Sequence, residues 1–200
     1  GTLGSKSIDY IIADKIIIPK ENEKYYSEKI IYLPNTYQVR DSTQKISKNI
    51  FKKNDIGLPE NSFVFCCFNK HYKITPNVFD IWMRILNKVD NSILWLIQDT
   101  NNGIQNLFKE AQNRNVDPKR IIFANRINTE KHLARHKMAD LFIDTFPYTA
   151  HTTCSDALWS GLPVITRIGQ SFASRVSASL LSAIGLPELI TKSAEEYENL

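Results

Sequence analysis

Basic and hydroxyl-bearing side chains occur in two short segments of this sequence that together are suited to holding a phosphate. His151, Thr152 and Thr153 stand where a helix is predicted to begin, and Lys70 and Lys73 follow a buried apolar run. Free N–H groups and the positive end of the helix dipole attract a phosphate. A lysine neutralises a diphosphate, most usefully when charge grows on a departing nucleotide. The two segments therefore predict a phosphate site.

Each of these side chains also has an ordinary structural explanation. A threonine is a good helix N-cap, and a lysine after a strand is usually solvated. Tyr72 either packs against a sugar or fills the edge of the core, and Asp156 either accepts hydrogen bonds from a ribose hydroxyl or is an acid in the first turn of a helix. Spacing alone leaves these alternatives open.

A second basic pair lies on another predicted helix. His132 and Arg135 are one turn apart, so both can face one ligand. Such a pair can stack on a base or reach a phosphate. Because Lys131, His136 and Lys137 are close by, the spacing alone favours a solvated helix face.

Strand-like and helix-like segments alternate from residue 62 onwards, and this order must position the basic residues. It predicts an α/β fold with a Rossmann-like parallel sheet and helices on both faces. Ligands of such sheets bind beyond the carboxyl ends of the strands, where the basic segments would meet. The predicted strands are Ile8–Ala13, Lys29–Leu33, Ser62–Phe68, Ser92–Ile97, Arg120–Ala124, Asp140–Asp144 and Pro163–Thr166, and the predicted helices are Glu21–Glu28, Pro76–Val89, Ile104–Asn113, Thr129–Met138, Thr152–Trp159 and Ser171–Ile184.

Composition and cysteine usage narrow the class of protein. The net charge of +4 is mild and the basic residues are scattered, which argues against a nucleic-acid partner. No apolar run is long enough to span a bilayer, so no membrane partner is expected. Cys66, Cys67 and Cys154 have the pattern of buried thiols, without a zinc-type pair. A reducing compartment follows, and we expect a cytoplasmic protein.

Several chemistries lack their motif in this sequence. No GxGxxG follows a strand, which argues against a dinucleotide dehydrogenase, and there is no P-loop and no GxSxG elbow. Because no Asp-x-Asp metal clamp occurs either, a diphosphate would have to be held by Lys, His, Thr and backbone groups. The sequence therefore predicts chemistry without a metal ion or another cofactor.

The sequence resembles the catalytic domain of the protein O-GlcNAc transferases, and most of all that of the bacterial members with tetratricopeptide repeats. The resemblance covers nearly the whole chain, and its most specific part is the HTT–D–LW–G–P pattern. The segments that carry it are Ile8–Asp14, Tyr25–Pro34, Phe68–Pro76, His132–Phe142, Leu141–Thr166 and Ser171–Leu181.

This resemblance implies the C-terminal lobe of a two-lobed GT-B fold together with the tail of the N-terminal lobe. Residues 1–37 would end the N-terminal lobe and residues 38–60, which are polar and poorly periodic, would link the lobes. Residues 61–200 would form the UDP-sugar-binding lobe. The rest of the first lobe, with a histidine discussed as a base, and the repeats that select proteins would precede Gly1, so we expect the chain alone to be inactive.

The resemblance also assigns site residues. It implies that Lys73 contacts the diphosphate and is needed for activity, which makes it the catalytic candidate. Lys70 stands where the family usually has Gln or Asn, and Thr129 stands where animal enzymes have lysine, so more than one donor stays open. The expected nucleotide-sugar-binding residues are Lys70, Tyr72, His132, Arg135, His151, Thr152, Thr153 and Asp156.

The implied reaction is inverting transfer of N-acetylglucosamine from UDP-GlcNAc to Ser or Thr of a protein or peptide. The relatives that transfer glucose to Asn, or fucose from GDP-fucose, provide a second hypothesis with the same fold. A third hypothesis is a non-catalytic nucleotide-binding module. Lys73, His151 and Asp156 favour the enzyme, because a degenerate module would not need to keep them.

Overall fold

A computed structural model describes residues 2–48 and 51–200. It contains a six-stranded parallel sheet flanked by helices, which confirms the predicted α/β class, and a separate two-stranded parallel sheet. The small sheet pairs β1 with β2, and the large sheet contains the other strands. The strands are β1 (Tyr10–Ala13), β2 (Lys29–Tyr32), β3 (Phe63–Cys67), β4 (Ser92–Ile97), β5 (Ile121–Ala124), β6 (Leu141–Ile143), β7 (Val164–Arg167) and β8 (Ile190–Thr191).

The order of the large sheet is β5-β4-β3-β6-β7-β8. The chain therefore builds outwards from β3 to β5, returns to place β6 beside β3, and builds outwards on the other side. Every residue of β4 is buried, as expected for a strand covered on both faces by helices. The point where the strand order reverses, between β3 and β6, is where open α/β sheets bind ligands.

Six α-helices accompany the strands in the described part of the chain. α1 begins at Pro76 after an N-cap in which the Thr75 hydroxyl accepts from the backbone N–H of Val78. Its predicted apolar face is confirmed, because Val78, Phe79, Trp82, Ile85 and Leu86 are all buried. The helices are α1 (Pro76–Lys88), α2 (Asn101–Gln112), α3 (Thr129–Arg135), α4 (Thr152–Trp159), α5 (Val176–Ala183) and α6 (Ala194–Asn199).

Three predicted helices are replaced in part by 3-10 helix, and one of them, predicted over Thr129–Met138, ends as α-helix at Arg135 and continues as a 3-10 helix over His136–Met138. Lys20–Tyr25 is a short 3-10 helix rather than an α-helix over Glu21–Glu28, and the Glu28 carboxylate lies beyond its end, where it accepts from the hydroxyl of Thr2. The helix predicted at Ser171–Ile184 is also interrupted. Its first turn is a 3-10 helix closed by a reciprocal Ser171–Ser174 capping box, and α5 begins only after it.

Strand β8 was not predicted. It has two residues, Ile190 and Thr191, which is too short for an alternating pattern to be visible. It pairs with the end of β7 and completes the edge of the sheet, and α6 follows it.

The segment between β2 and β3 lies along the large sheet's helices. The Thr36 hydroxyl contacts the Ser179 hydroxyl at 2.8 Å, and the backbone N–H of Ser47 donates to the carbonyl of Glu130 at 3.1 Å. The division at residues 37 and 60 stays a prediction, and Gly1 and residues 49 and 50 lie outside the described residues. None of the described helices is both long and apolar enough to cross a membrane. The three cysteines are buried free thiols.

Candidate functional site

A cleft of about 420 Å³ opens at the carboxyl ends of β3, β5 and β6, beside the amino end of α4. Parallel strands bring the loops that follow them to the same edge of a sheet, so residues far apart in sequence meet here. The structure brings together all of the predicted site residues, because each of them lines this one cleft. They are Lys70, Tyr72, Lys73, His132, Arg135, His151, Thr152, Thr153 and Asp156.

The amino end of α4 has no side-chain cap among the described residues. His151 is the N-cap, and its side chain makes no hydrogen bond to the first turn. Thr152 and Thr153 are the first helical residues, and the Thr153 hydroxyl donates to the Asn69 side-chain oxygen. The explanation of these threonines as N-caps is therefore wrong, since neither occupies the cap position. The first-turn N–H groups are left to face a ligand.

A buried carboxylate fixes the loop that precedes α4. Asp144 accepts from the backbone N–H of Thr145 at 2.8 Å and of Ala150 at 2.7 Å. It also accepts from the Thr166 hydroxyl at 2.7 Å and the Asn69 amide at 3.2 Å. Burial raises the pKa of Asp144. All of these donors are neutral, so this carboxylate holds the loop in place without being paired to a cation.

Lys73 is half-buried in the 3-10 turn after β3 and points to the same loop. Its ammonium donates to the carbonyl of Thr149 at 2.9 Å and lies 3.9 Å from the centre of the Tyr148 ring. Burial lowers the pKa of Lys73, and the charge of Asp144 opposes that shift. Lys73 forms no salt bridge with any described residue. An ammonium that is partly removed from water and lacks a carboxylate partner is suited to an anionic ligand.

Lys70 and Tyr72 form the outer rim of the cleft. Lys70 is exposed, and it forms no ion pair within the described part of the chain. Tyr72 is 71% exposed, so the explanation that it fills the edge of the core is wrong. Its ring centre lies 6.3 Å from that of Tyr148, and the ring of Tyr148 lies 5.1 Å from that of His151. The Tyr148 ring lies against the Lys73 ammonium and the Tyr72 ring lies beyond it, so the two exposed rings offer apolar surface to a sugar.

His132 and Arg135 do not lie on a solvated helix face, as their spacing suggested. Arg135 is only 3% exposed, because its guanidinium packs 4.7 Å from the Phe68 ring and 5.7 Å from the Trp95 ring. One of its nitrogens donates to the carbonyl of Asn125 at 2.6 Å, and another contacts His132 Nδ1 at 2.6 Å. Its Nε has no hydrogen-bond partner among the described residues. The aromatic side chains beneath α3 account for this burial.

Burial lowers the pKa of three histidines at or beside the cleft, His132, His136 and His151. Burial, followed by the charge of Arg135, lowers the pKa of His132 to about 3. Burial lowers the pKa of His136 to about 4. Burial and then the charge of Lys73 lower the pKa of His151, whose buried Nε2 has no hydrogen-bond partner in the described chain. These rings are therefore hydrogen-bonding or stacking groups at neutral pH, and the permanent positive charge comes from the lysines and arginines.

Asp156 forms a salt bridge that the sequence did not predict. Arg40, from the segment between β2 and β3, donates to Asp156 Oδ1 at 2.7 Å and to the Ser155 hydroxyl at 3.1 Å. The explanation of Asp156 as merely a favourable acid near a helix start is incomplete, since a specific arginine holds it at the cleft. Arg40 had no visible signal, because it lies in a polar stretch more than a hundred residues before Asp156.

Seven other residues line the cleft and were not selected from the sequence. Most of them lie in the same strand-end loops as the selected residues, so the rule that ligands bind at strand ends could have found them. Arg126 adds a further cation, while Tyr148 covers Lys73. The seven residues are Phe68, Asn69, Ile97, Arg126, Ile127, Thr129 and Tyr148.

The charges that line the cleft are unequal. Lys70, Lys73, Arg126 and Arg135 are cations, and Asp156 is the one acid in the lining of the described cleft. Across residues 2–48 and 51–200, no group of three or more His, Cys, Asp or Glu side chains is placed to hold a metal ion. The cleft is thus equipped to bind a multiply charged anion through side chains and helix N–H groups. A cationic cleft at the switch point of a parallel sheet is a usual position for phosphate-bearing ligands in open α/β folds.

The chain belongs to glycosyl transferase family 41, which matches it over residues 1–54 and 46–200. It is 38% identical over 205 residues to a probable UDP-N-acetylglucosamine–peptide N-acetylglucosaminyltransferase, SEC, of Arabidopsis thaliana, covering 99% of this chain and 21% of that protein. It is 43% identical over 143 residues to the Caenorhabditis elegans UDP-N-acetylglucosamine–peptide N-acetylglucosaminyltransferase, covering 72% of this chain and 12% of that protein.

A solved structure gives the same relationship in three dimensions. The O-GlcNAc transferase of Thermobaculum terrenum, solved as a point mutant, superposes with a TM-score of 0.85 at 29% identity. The match covers 99% of this chain and 37% of that one. The family predicted from the sequence motifs is confirmed, and the fold agrees with part of a GT-B transferase. The chain spans about a fifth or less of the curated relatives named above.

Proposed function

We propose that this chain supplies the donor-binding lobe of a protein O-GlcNAc transferase that moves N-acetylglucosamine from UDP-GlcNAc to Ser or Thr of a protein. The names of its family 41 relatives support the donor and the acceptor class. The observation that carries the proposal is the position of Lys73. Its ammonium has no carboxylate partner in the described chain, and it lines the same cleft as the uncapped start of α4.

We propose a single orientation for the donor in the cleft. We place the diphosphate against the first-turn N–H groups of α4 and the Lys73 ammonium, since both favour negative charge. The uracil then lies toward His132 and Arg135, and the ribose lies near Asp156. The sugar extends toward the rings of Tyr72 and Tyr148. The cleft volume of about 420 Å³ lies within the range of roughly 300–1,000 Å³ typical of small-molecule sites.

The reaction proposed for this geometry is a single displacement. The acceptor hydroxyl attacks C1 of the sugar from the face opposite UDP while the bond from C1 to the diphosphate oxygen breaks. The electron pair of that bond leaves with UDP, so negative charge increases beside Lys73 and the α4 amino end. Groups that bind this charge more tightly in the transition state than in the ground state accelerate the step. The proton of the acceptor hydroxyl leaves to water or to a base outside this chain.

We propose that the reaction needs no metal ion. The diphosphate charge is balanced by Lys73, Lys70 and the helix N–H groups. The lining also offers a divalent cation one carboxylate, Asp156, which already holds Arg40. Transfer by the full-length protein should therefore persist in excess EDTA. Loss of transfer in EDTA, restored by magnesium or manganese, would contradict this part of the proposal.

Replacement of Lys73 tests the proposal directly. Lys73→Met keeps an unbranched apolar side chain against Tyr148 and removes only the ammonium. We expect transfer by the full-length protein to fall by about 10²–10³-fold, because a donor aimed at developing charge is lost. UDP affinity, measured by calorimetry, should fall only about tenfold. The matched control is Lys109→Met, an exposed lysine on α2 outside the cleft, which should change neither quantity.

The outcome separates the hypotheses. If Lys73→Met transfers sugar at close to the unchanged rate, the assigned role is wrong. Competition among UDP-GlcNAc, UDP-glucose and GDP-fucose tests the donor, and preference for either of the last two would replace N-acetylglucosamine in the proposal. Tight UDP binding by the full-length protein without transfer to any peptide would favour a non-catalytic nucleotide-binding module.

A further inference from the structure

Arg40 makes several polar contacts through its terminal nitrogens, although it lies in an irregular segment and its buried Nε has no hydrogen-bond partner among the described residues. Its guanidinium donates to Asp156 Oδ1 at 2.7 Å, to the Ser155 hydroxyl at 3.1 Å and to the Gln44 side-chain oxygen at 2.7 Å. It also lies 5.1 Å from the centre of the Trp159 ring. The Arg40 and Asp156 side chains are 15% and 14% exposed. Because the pair is largely shielded from water, its geometry is better fixed than that of a surface ion pair.

The segment that carries Arg40 is anchored on both sides of this contact. Before it, the backbone N–H of Tyr37 donates to Asp14 Oδ2 at 2.8 Å, and the Tyr37 ring packs edge-on against Phe172 at 5.0 Å. After it, Ser47 donates from its backbone to Glu130 at the start of α3. Arg40 is therefore held at α4 by its own contacts and by its neighbours along the chain.

The contact leaves part of Asp156 for a ligand. Arg40 occupies Oδ1, whereas Oδ2 accepts no hydrogen bond from any residue in the described ranges. An ionised carboxylate offers about four lone-pair sites on its two oxygens, so one guanidinium does not saturate it. Asp156 lines the cleft and Arg40 does not. The arginine thus holds the carboxylate from behind, with the second oxygen unengaged.

We propose that Arg40 is a positioning residue, which orients the Asp156 carboxylate to accept hydrogen bonds from the ribose hydroxyls of the bound nucleotide. This inference rests on the proposed function, since it requires a nucleoside diphosphate in the cleft. It makes the segment between β2 and β3 a working part of the donor site. A fixed carboxylate loses less side-chain freedom when it binds a diol than a mobile one does.

The test compares the affinities of this chain for two nucleotides. UDP carries both ribose hydroxyls, and 2′,3′-dideoxy-UDP carries neither, so their affinity ratio measures what the diol contributes. By calorimetry we expect Arg40→Met to weaken UDP about five- to tenfold and to leave 2′,3′-dideoxy-UDP unchanged. Asp156→Asn should reduce the ratio in the same way. The double variant should be no worse than Asp156→Asn alone, because both changes remove one interaction.

Two further variants serve as a control and as a conservative replacement. Arg84 lies on α1, outside the cleft lining, and pairs with Glu198. Arg84→Met therefore breaks an arginine–carboxylate pair elsewhere, and it should leave the ratio of the two nucleotide affinities unchanged. Arg40→Lys keeps the charge with one donor group in place of the guanidinium fork and should give an intermediate ratio. It serves as the principal variant if thermal unfolding shows that Arg40→Met does not fold.

Each other outcome overturns the inference in a recognisable way. Equal weakening of both nucleotides by Arg40→Met would mean a purely structural role. Tighter UDP binding in that variant would mean that Arg40 competes with the ribose. Failure of the unchanged, folded chain to bind UDP at all would contradict the proposed function together with this inference. Normal UDP binding with an unaltered ratio in Arg40→Met would reject this inference alone.

Discussion

Cations are paired with a carboxylate on the outer face around α1 and α6, whereas the lysines of the cleft are unpaired. On the outer face, Arg84 and Lys88 both pair with Glu198, at 2.7 and 2.8 Å. At the cleft, neither Lys70 nor Lys73 forms a salt bridge with a described residue, although Lys73 is half-buried. An unpaired cation with reduced hydration costs free energy in the absence of a ligand. The contrast shows where the molecule keeps positive charge available for an anion.

The amino ends of the helices also differ in whether a side chain caps them. α1, α2, α3 and α6 each begin with a side-chain cap, from Thr75, Thr100, Asn128 and Ser193. α4 and α5 begin without a side-chain cap, and of these two only α4, with His151 at the cap position, begins at the cleft. A missing cap usually costs about 1 kcal/mol. The cleft therefore combines unpaired cations with unused N–H donors, two features that favour the same kind of ligand.

The largest expected effect is the loss of stability when Asp144 is replaced, which tests whether this carboxylate fixes the loop that Lys73 contacts. Asp144 is the carboxylate whose charge acts on Lys73, yet its hydrogen bonds come from neutral groups. Asp144→Ala should lower the free energy of unfolding by about 3–5 kcal/mol, because several buried donors lose their acceptor. Urea unfolding of the chain measures this. Asp90→Ala, an exposed acid before β4, is the control and should change stability by no more than about 0.5 kcal/mol.

A loss below about 1 kcal/mol for Asp144→Ala would contradict the role given to this carboxylate. It would mean that Asp144 is not what fixes the loop between β6 and α4, and that the position of Lys73 has another cause. A loss of the expected size, with UDP binding retained at low temperature, would support that role. The carboxylate would then be a structural acceptor and not part of the ligand's charge balance.

The second prediction concerns how stability depends on pH, which follows from the low pKa values of His132 and His136. Burial and the charge of Arg135 keep the pKa of His132 at about 3 in the folded chain, and burial keeps that of His136 at about 4. In an unfolded chain both lie near 6.5. Between these values the unfolded chain binds protons that the folded chain does not, so stability falls as pH drops below 6.5. We expect a loss of about 1–2 kcal/mol per histidine between pH 7 and pH 5.

Urea unfolding at pH 7, 6 and 5 measures this loss, and His132→Gln should make the dependence shallower. NMR titration of the imidazoles gives a direct readout. Neither His132 nor His136 should titrate between pH 5 and pH 8, and added UDP should raise the pKa of His132 because the ligand brings negative charge. A free-chain pKa above 6 for His132 would contradict the description of the cleft as positively charged and partly dehydrated.

The sequence predicted the architecture of this region better than its details. Alternating apolar and amphipathic segments specified the parallel sheet, and the strand-end rule brought His151 and Lys73 to one edge. The family motif, not spacing, identified His132 and Arg135. Spacing failed there because the residues that bury Arg135 are distant in sequence, with Phe68 directly after β3 and Trp95 in β4. Arg40 was beyond prediction for a related reason, since an irregular segment carries no periodic signal to show which helix it contacts.

The smallest expected effect lies on the outer face. Glu198→Gln removes the charge that both Arg84 and Lys88 contact. These two hydrogen-bonded partners hold the pKa of Glu198 below its ordinary value, so the stabilisation is present at neutral pH and is lost as pH falls through that lowered pKa. The cations are more than half exposed, so at pH 7 the variant should lose only about 0.5–1 kcal/mol. Urea unfolding at low and high salt measures this, and salt should shrink the difference.

The same variant completes the comparison when nucleotide binding is measured. Glu198→Gln frees two cations, yet they lie outside the cleft lining, so UDP affinity should stay within about twofold of the unchanged chain. Lys73→Met changes one cation and should weaken UDP about tenfold. If freeing Arg84 and Lys88 strengthened UDP binding as much as losing Lys73 weakened it, net charge would govern affinity. A selective effect of Lys73 instead requires the placement of that ammonium beside the open end of α4.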